Sequence, residues 1–299
     1  MSNSEIAELV HSSICAVVVS YCNVNEVLEC LRRVRSQIDR VLVVDNGSGH
    51  DAVGELEQAQ VEMNFDLVAN QENRGIAAAL NQGLEWARVH EYAWLLTLDQ
   101  DCFLPEGFVD KLVSNVQRIG QEREQVAVIG PVSGTDTRCS LPSDQSITPV
   151  PMLMTGGSLL NVRVALTLNG CDESFFIDYV DYEYCFRCRR NGYAVLRVND
   201  LSLTHEAGTP TVHKVFWKEV RSSNHTALRC YYISRNRFVV QKQYFKSDTV
   251  WAIGDAYRAI GEWAKILLFE RDPREKTRMM LRGFLDGFHG VSGPYVERD

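Results

Sequence analysis

The chain has no apolar run approaching the ~20 residues needed to cross a bilayer, and it opens without the basic, apolar leader of a secreted protein. Both absences predict a cytoplasmic protein, at most peripheral on the inner face of a membrane. Basic residues are the minority charge, with 31 Lys and Arg against 39 Asp and Glu, a net charge of −8. That balance argues against a nucleic-acid partner, whose footprint would be a basic surface. Near the N-terminus, Val18-Val-Ser-Tyr-Cys-Asn23 holds neither the glycines nor the lysine of a phosphate-cradling loop, which speaks against a nucleotidyltransferase. Cysteine is sparse, odd in number at nine, and in part set within apolar strands (Cys15, Cys22), which reads as reduced thiols. Cys185-Phe-Arg-Cys188 lacks the second pair that would complete a zinc site. Internal repeats and low-complexity tracts are also missing. What is abundant is core: 45% of the 299 residues are hydrophobic, enough for one large domain with an appendage or for two domains.

The apolar residues alternate between two patterns. Ile14 to Tyr21 is a β-rich run, followed from Asn23 by Val24, Val27, Leu28, Leu31 and Val34 at helical spacing. Arg40 to Ser48 repeats the strand and ends in Asp45 and a turn at Gly47. Phe65 to Asn70 makes a weaker strand, and Ile76, Leu80, Leu84 and Ala87 a helix. After Pro105 at a helix start, Phe108, Leu112, Val116 and Ile119 share a face; Val126 to Val132 adds a strand, and residues 133 to 151 read as a loop over the site. Alternating strands and helices predict an α/β fold with a mostly parallel sheet and helices on both sides.

The chain is organised around Tyr92 to Cys102, an apolar run that ends in Asp99-Gln-Asp101. Such a run predicts a buried strand whose carboxyl end opens on the ligand crevice of an α/β sheet. With alternating side chains, Asp99 and Asp101 point the same way. Two carboxylates so placed repel each other and call for a cation; hard oxygen donors favour Mg²⁺ or Mn²⁺. A turn or a helix cap is the plain alternative.

Val17-Val-Val-Ser-Tyr21, Val43-Val-Asp-Asn-Gly-Ser48, Asn73-Arg-Gly75, Leu98-Asp-Gln-Asp101, Thr155-Gly-Gly-Ser158, Phe176-Ile-Asp-Tyr-Val-Asp-Tyr-Glu183 and His205 occur in the order seen in inverting family 2 glycosyltransferases of the GT-A fold. The set most resembles the bacterial rhamnosyltransferases of surface polysaccharides. The resemblance covers residues 14 to about 240 and implies a catalytic domain over 1–240, with a C-terminal helical segment over 241–299.

By that resemblance Tyr21 lies against the pyrimidine and Asp45 accepts from the base, while strand packing and a turn are the alternatives. Arg74, at a helix start that favours anions, faces the diphosphate or the sugar, or is solvated. Asp101 is the implied metal ligand, Asp99 its companion at the ribose or metal shell, and His205 a third ligand. Gly156 and Gly157 bring backbone N–H groups to the substrate or form a bulge. The acid-rich, aromatic stretch Cys171 to Cys185 supplies a general base. The family motif puts that base on Asp181, with Asp178 as a rival on the same helix face; Val180 stands where the commoner form has an acid. Glu183 positions the acceptor or pairs with Arg187 at i+4. Arg235 or Asn236, in Tyr231 to Arg237, helps close the site. The implied activity is metal-dependent, inverting transfer of a sugar from a nucleoside-diphosphate donor, dTDP-L-rhamnose, to a growing glycan carried on a lipid. The alternative is a nucleotide-sugar sensor that binds without turnover. Apolar and basic residues mingle from Trp251 to Phe269, which suits a membrane surface, packing on the domain or a homodimer.

Overall fold

A computed structural model describes residues 13–133, 146–203, 211–215 and 218–297. The chain falls into two compact units, Met1–Glu173 with Val180–His205, and Ser174–Tyr179 with Glu206–Asp299. By packing, residues 206 to 240 therefore group with the C-terminal helices.

The first unit opens with β1 (Ile14–Ser20), α1 (Val24–Arg35), β2 (Val41–Asp45), α2 (His50–Met63), β3 (Asp66–Ala69), α3 (Ile76–Val89) and β4 (Trp94–Asp99). It continues with α4 (Phe108–Ile119), β5 (Val126–Ser133), β6 (Ile147–Pro149), β7 (Ser158–Asn161), α5 (Val162–Thr167), α6 (Val180–Arg190) and β8 (Ala194–Leu203). One sheet runs in the order β3-β2-β1-β4-β7-β5-β8-β6. The pairs from β3 through β4 and the pair β5·β8 are parallel, while β7 and β6 run antiparallel to their neighbours. β1 and β2 are buried throughout, as strands covered on both faces must be. Asn23 caps α1 by accepting from the Glu26 N–H, and Val24, Val27, Leu31 and Val34 of that helix enter the core.

Four local expectations need correction. Pro105 does not start a helix: α4 begins at Phe108 behind a left-handed Gly107, and the Pro105 carbonyl accepts from the Phe108 N–H. Cys22 lies past β1, exposed and at φ +60°, where the chain turns toward Ser48. Part of the 133–151 segment is strand, because β6 pairs with β8 at the sheet edge; residues 134–145 lie outside the described residues. Asp178 shares no helix face with Asp181, since α6 begins only at Val180.

The second unit holds the hairpin β9 (Thr211–Val215) and β10 (Lys218–Ser222), then α7 (Ala227–Tyr244), α8 (Thr249–Phe269) and α9 (Pro273–Phe288). α7 and α9 approach closely: a Cβ on Gly283 would stand 2.3 Å from the Tyr231 carbonyl oxygen. Residues 174–179 thread into this unit with Phe176, Asp178 and Tyr179 at φ between 61° and 65°. Each such residue costs roughly 1–2 kcal/mol, so the segment must be tied down. The ties are Arg235, which donates to the Ser174 and Phe175 carbonyls, and Asn236, which donates to those of Phe175, Ile177 and Asp178.

Candidate active site

Strand order reverses at β1, whose neighbours are β2 on one side and β4 on the other, so the carboxyl ends of β1 and β4 flank a topological switch point. Val19 pairs with Asp99 across these strands, which brings Tyr21 beside the Asp99-Gln-Asp101 corner. The Tyr21 N–H donates to Gln100 Oε1 at 2.7 Å, and Gln100 Nε2 in turn donates to Glu26 on α1 at 2.9 Å. The Tyr21 ring remains 48% exposed, which makes strand packing an inadequate account of it. An exposed aromatic face at a switch point can stack on a planar ring.

At the end of β2, Asp45 is fully buried. Its carboxylate accepts from the Ser48 N–H at 2.9 Å, from the Ser48 hydroxyl and from Ser20 Oγ at 3.3 Å. This is a turn-forming carboxylate, and Asn46 is the polar group that reaches across to the next loop. Asn46 Nδ2 donates to Asn73 Oδ1 at 3.1 Å, and its Oδ1 accepts from the Arg74 N–H at 3.1 Å. Gly47 lets the two loops touch: it sits at φ +85°, and a Cβ there would stand 2.4 Å from the Glu72 carbonyl carbon. The outcome is an exposed Arg74 on a fixed backbone, just ahead of Gly75 at the N-cap of α3.

β4 ends at Asp99, and Asp101 lies in the turn that follows, so a turn rather than strand alternation aims the second carboxylate. The outcome is still convergence. One oxygen of Asp99, one of Asp101 and Sγ of Cys102 all lie within 4.8 Å of one another. Burial, and behind it the charges of Asp99 and Asp101, push the Cys102 thiol well up, while Asp99 and Asp101 supply hard carboxylate oxygen. Gly156 closes on the pair, since a Cβ there would meet Asp99 Oδ2 at 3.3 Å and Cys102 Sγ at 3.0 Å. Two hard donors beside a cradle that a methyl group would narrow fit Mg²⁺ or Mn²⁺. His205 lies outside the described residues. The Gly157 N–H is held by the Thr97 carbonyl at 2.8 Å, so it serves the sheet rather than a substrate.

α6 is tied to the segment that leads to Gly156. Cys185 Sγ donates to the carbonyl of Leu153, three residues ahead of Gly156, at 3.7 Å. Asp181 lies in the first turn of α6, half-buried, with Oδ1 accepting from the Tyr182 N–H at 2.9 Å. Asp178 belongs to the second unit, where Arg229 holds it with contacts of 3.1 to 3.4 Å. Glu183 is 2% exposed and binds Arg187 with two contacts, at 2.9 and 2.8 Å. Arg187 also donates to the Leu168 and Gly170 carbonyls, so the pair anchors α6 to the turn before it rather than facing an acceptor. Arg235 is 1% exposed and bound to Asn236 and to the carbonyls of Ser174, Phe175 and Gly293, a structural pin within its unit. Sequence reasoning passed over Gln100, Asn46 and Asn81. Asn81 fixes Cys171 through both its N–H and its carbonyl, at 2.7 and 2.9 Å. Their one sequence signal is an amide side chain with no obvious local partner, in a turn for Gln100 and Asn46 and within α3 for Asn81.

Residues 15–140 match the model of the family described as glycosyl transferase family 2. A curated relative, the dTDP-rhamnosyl transferase RfbF of Shigella flexneri, is 24% identical over 95% of this chain and 98% of its own. Among solved structures, the mannosyltransferase PcManGT of Pyrobaculum calidifontis, in complex with GDP-Man and Mn²⁺, superposes with a TM-score of 0.55 at 16% identity, covering 92% of this chain and 87% of that one. GalNAc-T7 with UDP, GalNAc and Mn²⁺ gives 0.59 at 12% identity, covering 93% of this chain and 56% of that one. TarS residues 1–349 of S. aureus, in complex with UDP-GlcNAc, gives 0.51 at 13% identity, covering 93% and 81%. The shared architecture is the GT-A fold.

Proposed function

With residues 15–140 a glycosyl transferase family 2 domain, we propose that the chain is an inverting rhamnosyltransferase that uses dTDP-L-rhamnose and extends a surface glycan carried on a lipid. The observation that carries this reading is the convergence of Asp99 and Asp101 at the β1/β4 switch point, beside an exposed Tyr21 and against Gly156. The near full-length likeness to a dTDP-rhamnosyl transferase supports the choice of donor.

In this reading Tyr21 stacks on the thymine ring and Arg74 meets the diphosphate, with Asn46 and Gly47 fixing the loop that carries it. Asp101 and Asp99, with His205 as a further ligand, would hold a divalent cation, which would supply Lewis-acid neutralisation of the charge on the diphosphate. Asp181 accepts the proton of an acceptor hydroxyl as its oxygen bonds to the anomeric carbon. The bond from that carbon to the diphosphate breaks on the opposite face, its electron pair leaving with the diphosphate oxygen, and the configuration inverts. Asp178, already bound to Arg229, shapes the segment ahead of the base.

The test measures thermal unfolding and nucleotide release with dTDP-rhamnose, UDP-GlcNAc and GDP-mannose in the presence of Mn²⁺. A donor at 100 times its dissociation constant should stabilise by about 2.7 kcal/mol. Stabilisation by UDP-GlcNAc or GDP-mannose but not by dTDP-rhamnose would overturn the donor assignment. Asp181→Asn should keep the dTDP-rhamnose shift and lose at least 100-fold in transfer rate; turnover at the wild-type rate would remove Asp181 from the role of base.

A further inference from the structure

The second unit is unlike the first at its surface. Of the eighteen large hydrophobic side chains exposed among the described residues, fifteen belong to it. Its charge also runs against the rest of the chain, with sixteen Lys and Arg against twelve Asp and Glu, a net of +4 beside −12 for the first unit. Apolar exposure and positive charge are therefore concentrated in the same third of the sequence.

Each of α8 and α9 sorts these residues to one of its own faces. On α8, Val250, Ile253, Tyr257, Ile260, Ala264 and Leu267 follow one another at steps of three and four, which is a single stripe along a helix. Val250 is 88% exposed, Tyr257 72% and Ile260 62%. Arg258 and Lys265, seven residues apart, flank the stripe on one edge. The two acids within this helix, Asp255 and Glu262, lie off the stripe and bind Arg237 at 3.2 and 2.8 Å, and Asp255 also pairs with Arg258 at 3.2 Å. On α9, Arg274, Arg278, Leu281, Leu285 and Phe288 repeat the three-and-four spacing, and all five are exposed. Glu275 and Asp286 lie off that line, and Asp286 accepts from the Tyr231 hydroxyl at 2.7 Å.

We propose that the outward stripes of α8 and α9 form a docking surface for an anionic phospholipid bilayer, with apolar side chains entering the interface and the arginines and lysines meeting the headgroups. An apolar face bordered by cations and cleared of acids is what such a surface requires. A second copy of this chain fits less well. Helices paired along a three-and-four seam place acids opposite bases at the flanking positions, whereas the charged residues on and beside these stripes are mainly bases, Arg258, Lys265, Arg274 and Arg278. No helix among the described residues is long and apolar enough to cross the bilayer, so docking is peripheral.

The full chain is tested by co-sedimentation with vesicles of phosphatidylcholine alone and of phosphatidylcholine with 30 mol% phosphatidylglycerol, at 0.1 M and 0.5 M salt. Partition should be at least tenfold greater on the anionic vesicles and fall at high salt. Arg274→Gln with Arg278→Gln should lower it by roughly 30-fold, at about fivefold for each charge removed from the surface. Ile260→Glu with Leu285→Glu should lower it by at least about tenfold. Circular dichroism melts matching the wild type show that each variant is folded. Equal partition on both vesicle types, or none on either, overturns the proposal. So does a dimer by light scattering that Ile260→Glu dissociates while vesicle binding is absent. Neither result touches the choice of donor, which is read on soluble nucleotide sugars.

Discussion

Replacing Gly47 by alanine tests whether the turn after β2 and the loop before α3 form one device. Two costs add. At φ +85° an alanine is held in the left-handed region, worth roughly 1–2 kcal/mol. Its methyl carbon would also stand 2.4 Å from the Glu72 carbonyl carbon and 2.6 Å from the Asn73 nitrogen, and both are backbone atoms that no rotamer change can move. Restoring ordinary contact needs a shift of about 1 Å, enough to break the 3.1 Å bonds from Asn46 to Asn73 and from Arg74 N–H to Asn46. At about 1 kcal/mol for each bond the total is roughly 3–4 kcal/mol, or about 10 °C in the unfolding midpoint. Gly49 supplies the control. It sits at φ +97°, and a methyl group there would meet nothing within 4 Å, so Gly49→Ala should carry only the first cost. The assay is a thermal melt of both variants, followed by the Michaelis constant for donor, which should rise for Gly47→Ala alone because Arg74 is displaced. Equal destabilisation by the two variants would refute the argument from contact.

Glu183→Gln leaves the half-buried Arg187 without its carboxylate and should destabilise by about 2 kcal/mol in a urea melt; a selective loss of acceptor affinity at unchanged stability would restore Glu183 to the substrate. Gly156→Ala should melt close to wild type without metal yet bind Mn²⁺ more weakly by isothermal titration, because the added methyl stands 3.3 Å from Asp99 Oδ2. Burial, and behind it the charge of Arg229, hold His225 below the ordinary histidine range. The unfolded chain then binds a proton more readily than the folded one, so this group's contribution is present above about pH 6.5 and is lost as the pH falls through its lowered folded value. Wild type should therefore lose more stability than His225→Gln between pH 7 and pH 5, measured as the difference in melting temperature.

The alternating pattern of apolar runs and helical faces was enough to place five strands and three helices through Val132, because strands buried on both faces are written as continuous apolar residues and amphipathic helices as a stripe; α2, which buries only Leu56, carries no such stripe. That Tyr21 and Asp99 lie at strand ends followed from the pattern; that those strands are neighbours came from the pairing of β1 with β4. Other features depend on contacts between residues far apart in the chain, which no local pattern encodes. The turn after β2 takes up Asp45 and leaves Asn46 as the bridge to Asn73, 27 residues on. A turn, rather than strand alternation, aims Asp101. Arg235 looks like a site residue in sequence, yet it lies buried against carbonyls 58 to 61 positions away. Glu183 and Arg187 were legible as a pair because their spacing is local to one helix. Sequence by itself determined most strands and helices before Val132, since those depend on periodicity along the chain, but neither the edge strand β6 nor the start of α4. Only the tertiary structure decided which polar side chains face a ligand and which are bound by the protein itself, because a carboxylate or guanidinium is claimed by whichever partner the fold brings within about 3 Å of it.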